Sequence, residues 1–104
     1  MCTCRVADYD AFRPGYDRAL EAFSDQIRSW RVWRGQDDPN LIVIEETFDS
    51  RQAAEALRTS PQTKAAMEAD GIDMRSVRTK YLDEVDSGPS KPLSPRKRSP
   101  SLAP

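Results

Sequence analysis

Two adjacent glutamates, Glu45 and Glu46, interrupt a stretch of otherwise apolar residues. Consecutive side chains of an extended strand point to opposite faces, so at least one carboxylate is expected to approach a covered face of a sheet. Burial raises the pKa of a carboxyl group and suits it to act as a general base. The alternatives are an ion pair with Arg31, Arg34 or Arg78, or a position at the exposed end of the strand.

Two tyrosines carry the other candidate catalytic groups. Tyr16 belongs to the apolar side of an amphipathic segment, and Tyr81 is predicted to lie on the last strand. If the two phenols converge on one cavity, a hydroxyl there can hydrogen-bond a substrate hydroxyl or relay its proton. The alternative is a pair of core tyrosines whose hydroxyls reach the surface. The candidate catalytic residues are therefore Glu45, Glu46, Tyr16 and Tyr81.

Aromatic side chains supply a candidate binding wall for a planar molecule. Trp30 and Trp33 stand three positions apart, which places them on opposite faces of a strand. One of the two rings can then face a cavity between the helices and the sheet, and the other can face an interface between two sheets. The alternative is ordinary packing in the core and at an interface. The candidate ligand-binding residues are Trp30, Trp33, Phe12 and Phe48.

The sequence contains no histidine, which removes the commonest general base, zinc ligand and haem ligand. Its two cysteines, Cys2 and Cys4, cannot complete a tetrahedral zinc site within one chain, and cysteines at this spacing rarely form a disulfide. Free thiols in a reducing cytoplasm are expected, with redox chemistry or a metal shared between subunits as the alternative. We therefore predict a cytoplasmic protein with neither a metal nor a cofactor.

The length of 104 residues suits one domain. All 17 Asp and Glu and twelve of the 16 Lys and Arg lie in residues 1–86, which therefore carry a formal charge of −5. This acidic balance predicts no nucleic-acid surface on the folded domain. No apolar run approaches the roughly 18 residues that a membrane-spanning helix needs, so no membrane partner is expected.

Residues 87–104 differ in composition from the rest of the chain. They hold five of the eight prolines, four basic residues and no aromatic residue. Such a segment buries too little apolar surface to offset the entropy of ordering, so we predict a disordered basic tail after a domain at residues 1–86. The tail suits an acidic partner or phosphorylation, although solvated tails without a partner are common.

Hydrophobic periodicity and turn chemistry predict six elements in the order β-α-β-β-α-β, with the second helix split at Ser60-Pro61. Asp8–Asp10 offers N-cap chemistry for a first helix of about four turns, in which Pro14-Gly15 is expected near the first turn. Gly71 is a natural residue to follow the last helix. The predicted strands are residues 1–6, 27–34, 41–48 and 77–85.

This order is the ferredoxin-like arrangement, an α+β fold in which a four-stranded antiparallel sheet carries both helices on one face. Alternation sends Leu41 and Val43 to one face of the third strand and Ile42 and Ile44 to the other. Both faces are thus apolar, and the helices of one chain cover only one of them. We therefore predict a homodimer, with a monomer that exposes an apolar face as the alternative.

Four segments share the pattern of a known group: Val6–Pro14, Arg34–Asn40, Ser60–Met67 and Tyr81–Val85. Together they resemble the small antibiotic biosynthesis monooxygenase-like proteins, a group that includes proteins described as cyclases. The resemblance covers residues 1–86. It implies a dimeric α+β barrel, in which two sheets pack face to face, and a pocket between helices and sheet in each subunit.

Members of that group include cofactor-free oxygenases that convert polycyclic phenols to quinones, and haem-degrading oxygenases. The absence of histidine excludes the histidine-ligated haem chemistry of the second kind. The resemblance therefore implies a cofactor-independent monooxygenase or cyclase-like enzyme that acts on a small aromatic or polyketide-type compound. The alternative is a non-catalytic dimeric module that binds a small ligand or another protein. No catalytic set of the group aligns residue by residue with this chain.

Overall fold

Four strands and three helices form within residues 1–89, which are the residues that the computed structural model describes. In chain order they are β1 (Cys2–Val6), α1 (Tyr9–Ala22), β2 (Ser29–Arg34), β3 (Leu41–Thr47), α2 (Arg51–Arg58), α3 (Pro61–Ala69) and β4 (Ile72–Thr79).

The strands pair in the order β2-β3-β1-β4, and every neighbouring pair is antiparallel. The helices pack on one face of this sheet, so the predicted α+β, ferredoxin-like βαββαβ arrangement is confirmed. In this order β3 and β1 lie in the centre, and β2 and β4 form the two edges.

Alternation along the strands separates a helix-covered face from an outer face. On β3, Ile42 and Ile44 are buried under the helices, whereas Leu41 and Val43 point to the outer face and are half-buried. The buried cluster lies between α1 and the sheet. It consists of Cys4, Val6, Phe12, Tyr16, Ile42, Ile44 and Ile72.

A polar side chain caps the N-terminus of each helix, and the sequence predicted this for Asp8. Asp8, Ser50 and Ser60 precede α1, α2 and α3, and the side chain of each accepts a backbone N–H of the first turn. One detail of the prediction was wrong: Pro14 lies in the second turn of α1, because the helix begins directly after Asp8. Pro14 is exposed there, so the carbonyl of Asp10 that it leaves without a helical N–H lies near solvent.

The last strand begins and ends earlier than predicted. Gly71, at φ +83°, ends α3 in a conformation that favours glycine, and β4 starts at the next residue. A bulge opposite Thr3 and Arg5 interrupts the pairing of β1 with β4, and the Ser76 hydroxyl there accepts the Arg5 N–H at 2.8 Å. Tyr81 therefore lies beyond the strand, not on it.

Residues 81–89 have no regular secondary structure. The tail prediction concerned residues 87–104, of which residues 90–104 lie outside the described residues. Among residues 1–89 no helix is both long and apolar enough to cross a membrane.

Candidate functional site

A short hydrogen bond joins the first helix to the sheet. The Tyr16 hydroxyl donates to Glu46 Oε2 at 2.6 Å, and the two residues are 30 positions apart in the chain. Tyr16 belongs to the buried side of α1, and Glu46 follows Ile42 and Ile44 on the helix-covered face of β3. The structure thus brings two of the four candidate catalytic residues into contact.

Partial burial determines the charge states of this pair. Burial raises the pKa of the Glu46 carboxyl group, and the hydrogen bond from Tyr16 opposes that rise without cancelling it. Burial also raises the pKa of the Tyr16 phenol, and the neighbouring Glu46 charge raises it further. Tyr16 therefore remains a hydrogen-bond donor, and Glu46 is the member of the pair that can accept a proton.

Aromatic rings surround the pair on two sides. The Phe12 ring stacks on the Tyr16 ring, with centroids 5.7 Å apart and planes 17° apart. The Trp30 ring meets Tyr16 edge-on, with centroids 6.1 Å apart and planes 80° apart. Phe12 is 1% exposed and belongs to the core, whereas Trp30 is 44% exposed and offers ring surface to a ligand. Two candidate ligand-binding residues therefore lie at the site, and Trp30 is the accessible one.

Arg13 also belongs to the site, although the sequence did not indicate it. Its guanidinium carbon lies 4.9 Å from the centroid of the Trp30 ring and 5.6 Å from that of Tyr16, which is the geometry of a cation–π contact. Asp17 holds the group from one turn further along α1, with N–O distances of 2.9 and 3.1 Å. The signal that could have found it is the three-residue spacing between Arg13 and Tyr16, which places both on one side of a helix.

Both cysteines point from β1 to the same helix-covered face. Cys4 is 1% exposed, and its hydrogen bond with Cys2, together with burial, raises the pKa of its thiol. A hydrogen bond from Cys4 lowers the pKa of Cys2 to about 7, although burial opposes this change. Glu46 is close enough to affect the pKa of Cys2, so the half-buried Cys2 thiol borders the site.

The other candidate residues lie elsewhere. Glu45 is exposed on the outer face opposite Arg31, and Trp33 is 51% exposed on the same face opposite Val43. Phe48 is half-buried directly after β3. These positions follow from the alternation of β2 and β3, which the sequence predicted without showing which face the helices cover.

Tyr81 packs against the second helix instead of joining Tyr16, so the predicted convergence of the two tyrosines is wrong. Its hydroxyl accepts a hydrogen bond of 2.5 Å from Arg58 Nε. Arg51 lies over its ring at 4.6 Å from the centroid. The chain turns off the sheet after Thr79, and these two arginines of α2 then hold the tyrosine ring.

A groove of about 280 Å³ lies between α1 and α3. Small side chains such as Ala19 and Ala66 form much of its wall, and Arg18 and Asp70 also line it. This groove lies on the helical layer, whereas the Tyr16–Glu46 pair lies between α1 and the sheet. The groove is lined by the carboxylate of Asp70, whose pKa is raised by burial, whereas the pair holds a hydrogen-bonded carboxylate beside an exposed tryptophan ring.

Comparison with known protein families, with curated proteins and with solved structures finds no match to this chain. The resemblance to the antibiotic biosynthesis monooxygenase-like proteins therefore rests on the four sequence segments alone and stays a prediction.

The arrangement can remove a proton from a weak acid that lies on Trp30. Glu46 supplies the acceptor, Tyr16 fixes one of its oxygens, and Arg13 places a positive charge over the neighbouring rings. Among residues 1–89 no group of three or more Cys, Asp or Glu side chains is arranged to hold a metal ion. The chemistry that the described residues themselves supply is proton transfer and electrostatic stabilisation.

Proposed function

We propose that this protein is a cofactor-independent monooxygenase or cyclase-like enzyme that acts on a small aromatic or polyketide-type compound. One observation carries the proposal: a half-buried carboxylate with a raised pKa accepts a 2.6 Å hydrogen bond from a buried tyrosine, beside an exposed tryptophan ring. A site that activates a weakly acidic aromatic compound needs both a base and an aromatic surface.

In this proposal Glu46 removes a proton from an activated CH₂ group or from the enol of the substrate. The resulting carbanion gives its electron pair to dioxygen, and one carbon–oxygen bond forms. The second oxygen atom leaves as water after it takes up two protons, and the CH₂ group becomes a carbonyl group. Substrate and dioxygen are the only reactants, and the protein supplies the base, the orientation and the exclusion of water.

Glu46 and Glu45 provide a matched pair for testing the reaction. Anthrone, a tricyclic compound whose enol is a phenol, is the probe, and the readouts are oxygen uptake and the absorbance of anthraquinone above the spontaneous rate. We expect Glu46→Gln to lower the catalysed rate by about a hundredfold or more, because a general base contributes on that order. Glu45→Gln should leave the rate unchanged, since Glu45 points to the outer face.

Two results would count against the proposal. A wild-type rate equal to the spontaneous rate for anthrone and for other polycyclic phenols would argue against an oxygenase. Equal effects of the two substitutions on a real activity would remove Glu46 from the role of base.

A non-catalytic dimeric module that binds a small ligand is the second candidate, and the filled core favours it. Phe12 and Ile42 are 1% and 0% exposed, so the space below Tyr16 is occupied by side chains. A ligand would then rest on Trp30 without being enclosed. Saturable binding of polycyclic phenols with no oxygen uptake would select this candidate.

We also propose that the protein is a homodimer in which two sheets meet through their outer faces. Trp33 is 51% exposed on that face, and Leu41 and Val43 beside it are only partly covered. Burial of such side chains between two copies is favourable by about 25 cal/mol per Å² of apolar surface. The charged residues of the same face, such as Arg31 and Glu45, then belong at the rim of the interface.

Light scattering during size exclusion tests the dimer at micromolar concentration. We expect twice the mass of one chain, and Trp33→Asp should yield the mass of one chain. Gln52→Asp on the exposed side of α2 is the control and should keep the larger mass. A wild-type mass of one chain, with an unfolding midpoint that does not depend on concentration, would contradict the dimer.

A cytoplasmic location also remains a proposal. The two free cysteines on one face of β1 support it, because cysteines two positions apart are poor disulfide partners and thiols persist in reducing compartments.

A further inference from the structure

We infer that Arg13 selects the substrate of this site, and that the preferred ligand is a planar aromatic compound with an anionic group next to its ring system. The inference rests on the proposed function, because it concerns the ligand of the same Trp30 surface. It adds a charge requirement that neither Glu46 nor the aromatic rings impose.

The position of Arg13 carries the inference. Its guanidinium lies over two aromatic rings, 4.9 Å from the Trp30 centroid and 5.6 Å from the Tyr16 centroid. The side chain is only 27% exposed, so less water screens its charge than on an open surface. An aromatic ligand stacked on the exposed part of Trp30 therefore comes within reach of a cation that is already in place.

The contacts that hold Arg13 leave part of it for a ligand. Nε donates a hydrogen bond to Asp17 Oδ1 at 3.1 Å, and Nη2 forms an ion pair with the same oxygen at 2.9 Å. Tyr9 is also close enough to raise the pKa of the guanidinium. The contacts with Asp17 involve Nε and Nη2, and a guanidinium carries five N–H donors on three nitrogens. Among residues 1–89 Asp17 and Tyr9 are the recorded polar partners of the group, and the remaining donors suit the two oxygens of a carboxylate.

The Tyr16–Glu46 pair and Arg13 bind different ends of the ligand in this inference. Tyr16 stands between the carboxylate and the guanidinium, since it contacts both. A ligand can thus present an acidic hydroxyl or enol to Glu46 at one end and a permanent anion to Arg13 at the other. The same positive charge stabilises the negative charge that spreads over the ring system when Glu46 removes the proton.

Two ligands that differ by one carboxylate group test this inference. They are 2-naphthol and 6-hydroxynaphthalene-2-carboxylate, and the measurement is isothermal titration calorimetry at neutral pH. We expect the wild-type protein to bind the carboxylate about fivefold more tightly, which is the effect of a partly exposed ion pair of about 1 kcal/mol. The preference should shrink as salt is added.

Arg13→Gln should abolish the preference and change the affinity for 2-naphthol less than twofold. Arg18→Gln on the same helix is the control and should keep the preference, because Arg18 lies at the groove on the other side of α1. Asp17→Asn removes the carboxylate that competes with the ligand for Arg13, so this variant should increase the preference for the carboxylate ligand. It also tests the inference if Arg13→Gln does not fold.

The outcomes separate the two proposals. Binding of 2-naphthol that is equal to or tighter than binding of the carboxylate would overturn the role of Arg13 and leave the proposed function standing. An equal loss of affinity for both ligands in Arg13→Gln would show a purely structural role and also overturn it. Failure of both ligands to bind the wild-type protein would overturn the inference together with the proposed site.

Discussion

The Tyr16 hydroxyl donates a 2.6 Å hydrogen bond to Glu46 Oε2 and thereby joins the middle of α1 to the end of β3. Glu46 would otherwise be a carboxylate facing an apolar layer with no partner from the helix. The same contact makes Tyr16 a fixed donor, because the charge of Glu46 raises the pKa of the phenol. The stability of this contact and the reactivity that we propose for Glu46 therefore depend on the same hydrogen bond.

The pH dependence of stability should identify Glu46. Its pKa is raised in the folded state, so the protonated form favours folding, and this stabilisation is lost as pH rises through the folded pKa. Gln mimics the protonated form. We expect the stability of Glu46→Gln relative to wild type to increase from pH 3.5 to pH 7, measured by urea unfolding.

Glu45→Gln is the control for this titration, because Glu45 is exposed on the outer face. The stability of that variant relative to wild type should not show the same increase. A flat difference between wild type and Glu46→Gln over the whole range would show that burial does not affect this carboxyl group.

Removal of the Tyr16 hydroxyl should cost more than removal of an exposed one. Tyr16→Phe deletes a hydrogen bond to a half-buried charged group, and we expect a loss of about 1 to 2 kcal/mol in the free energy of unfolding. Tyr81→Phe deletes the contact with Arg58 at the surface, and a change within about 0.5 kcal/mol is expected. Similar losses in both variants would contradict the central place of the Tyr16–Glu46 contact.

Cys2 should react faster with iodoacetamide than an ordinary thiol near neutral pH. Its pKa is lowered to about 7 by the hydrogen bond from Cys4, and the thiolate is the nucleophile. The modification rate, followed by mass spectrometry, should rise with a midpoint near that pH. Cys4→Ser keeps a donor and should preserve the midpoint, whereas Cys4→Ala should move it upward.

Modification of Cys4 in the folded protein should be slow, since Cys4 is 1% exposed and its pKa is raised. Equal labelling of the two cysteines under native conditions would show that β1 does not hold them as described.

The packing of α1 against the end of α3 should appear as coupling between Gly15 and Asp70. A Cβ on Gly15 would occupy the position of the Asp70 carboxylate. Gly15→Ala improves helix propensity by about 1 kcal/mol, and we expect this gain in an Asp70→Ala background. In the wild-type background the gain should be smaller, because the carboxylate must move. Equal gains in a double-mutant cycle would exclude the contact.

Local chemistry explains why most of the fold could be predicted. Ser60 followed by Pro61 is a combination that favours the start of a helix. Gly71 ends that helix, because its φ of +83° suits glycine. Alternation correctly placed Ile42 and Leu41 on opposite faces. These features depend on neighbours within a few positions.

The last strand shows where local pattern fails. Ile72 and Met74 point to the helix-covered face, but the bulge shifts the alternation so that Val77 and Thr79 also point there. A period of two therefore does not run through the whole strand. The alternation that starts at Val77 continues past the end of β4 to Tyr81, so it predicts a strand at residues 77–85 that is displaced from the observed one.

The candidate site depended on contacts between distant residues. Alternation established that Glu45 and Glu46 lie on opposite faces, but only the position of Tyr16 on α1 determines which of the two is covered. Arg13 has the polarity of a solvent-facing residue, and its role depends on Trp30, which lies on another element. The Tyr16–Glu46 and Arg13–Trp30 contacts each join residues on different elements, so spacing along the chain does not encode them, although it places Arg13 beside Tyr16.

The bulge opposite Thr3 and Arg5 lies on β4, one of the two edge strands of the sheet. A flat outer strand offers its free backbone groups as a template on which further molecules can add strands. Here the Ser76 hydroxyl fills the irregular step by accepting the Arg5 N–H, and Arg75 and Arg78 place positive charges along the same strand. A bulge and charged side chains on an edge strand disfavour edge-to-edge addition of further strands, which is a route to fibrous aggregation.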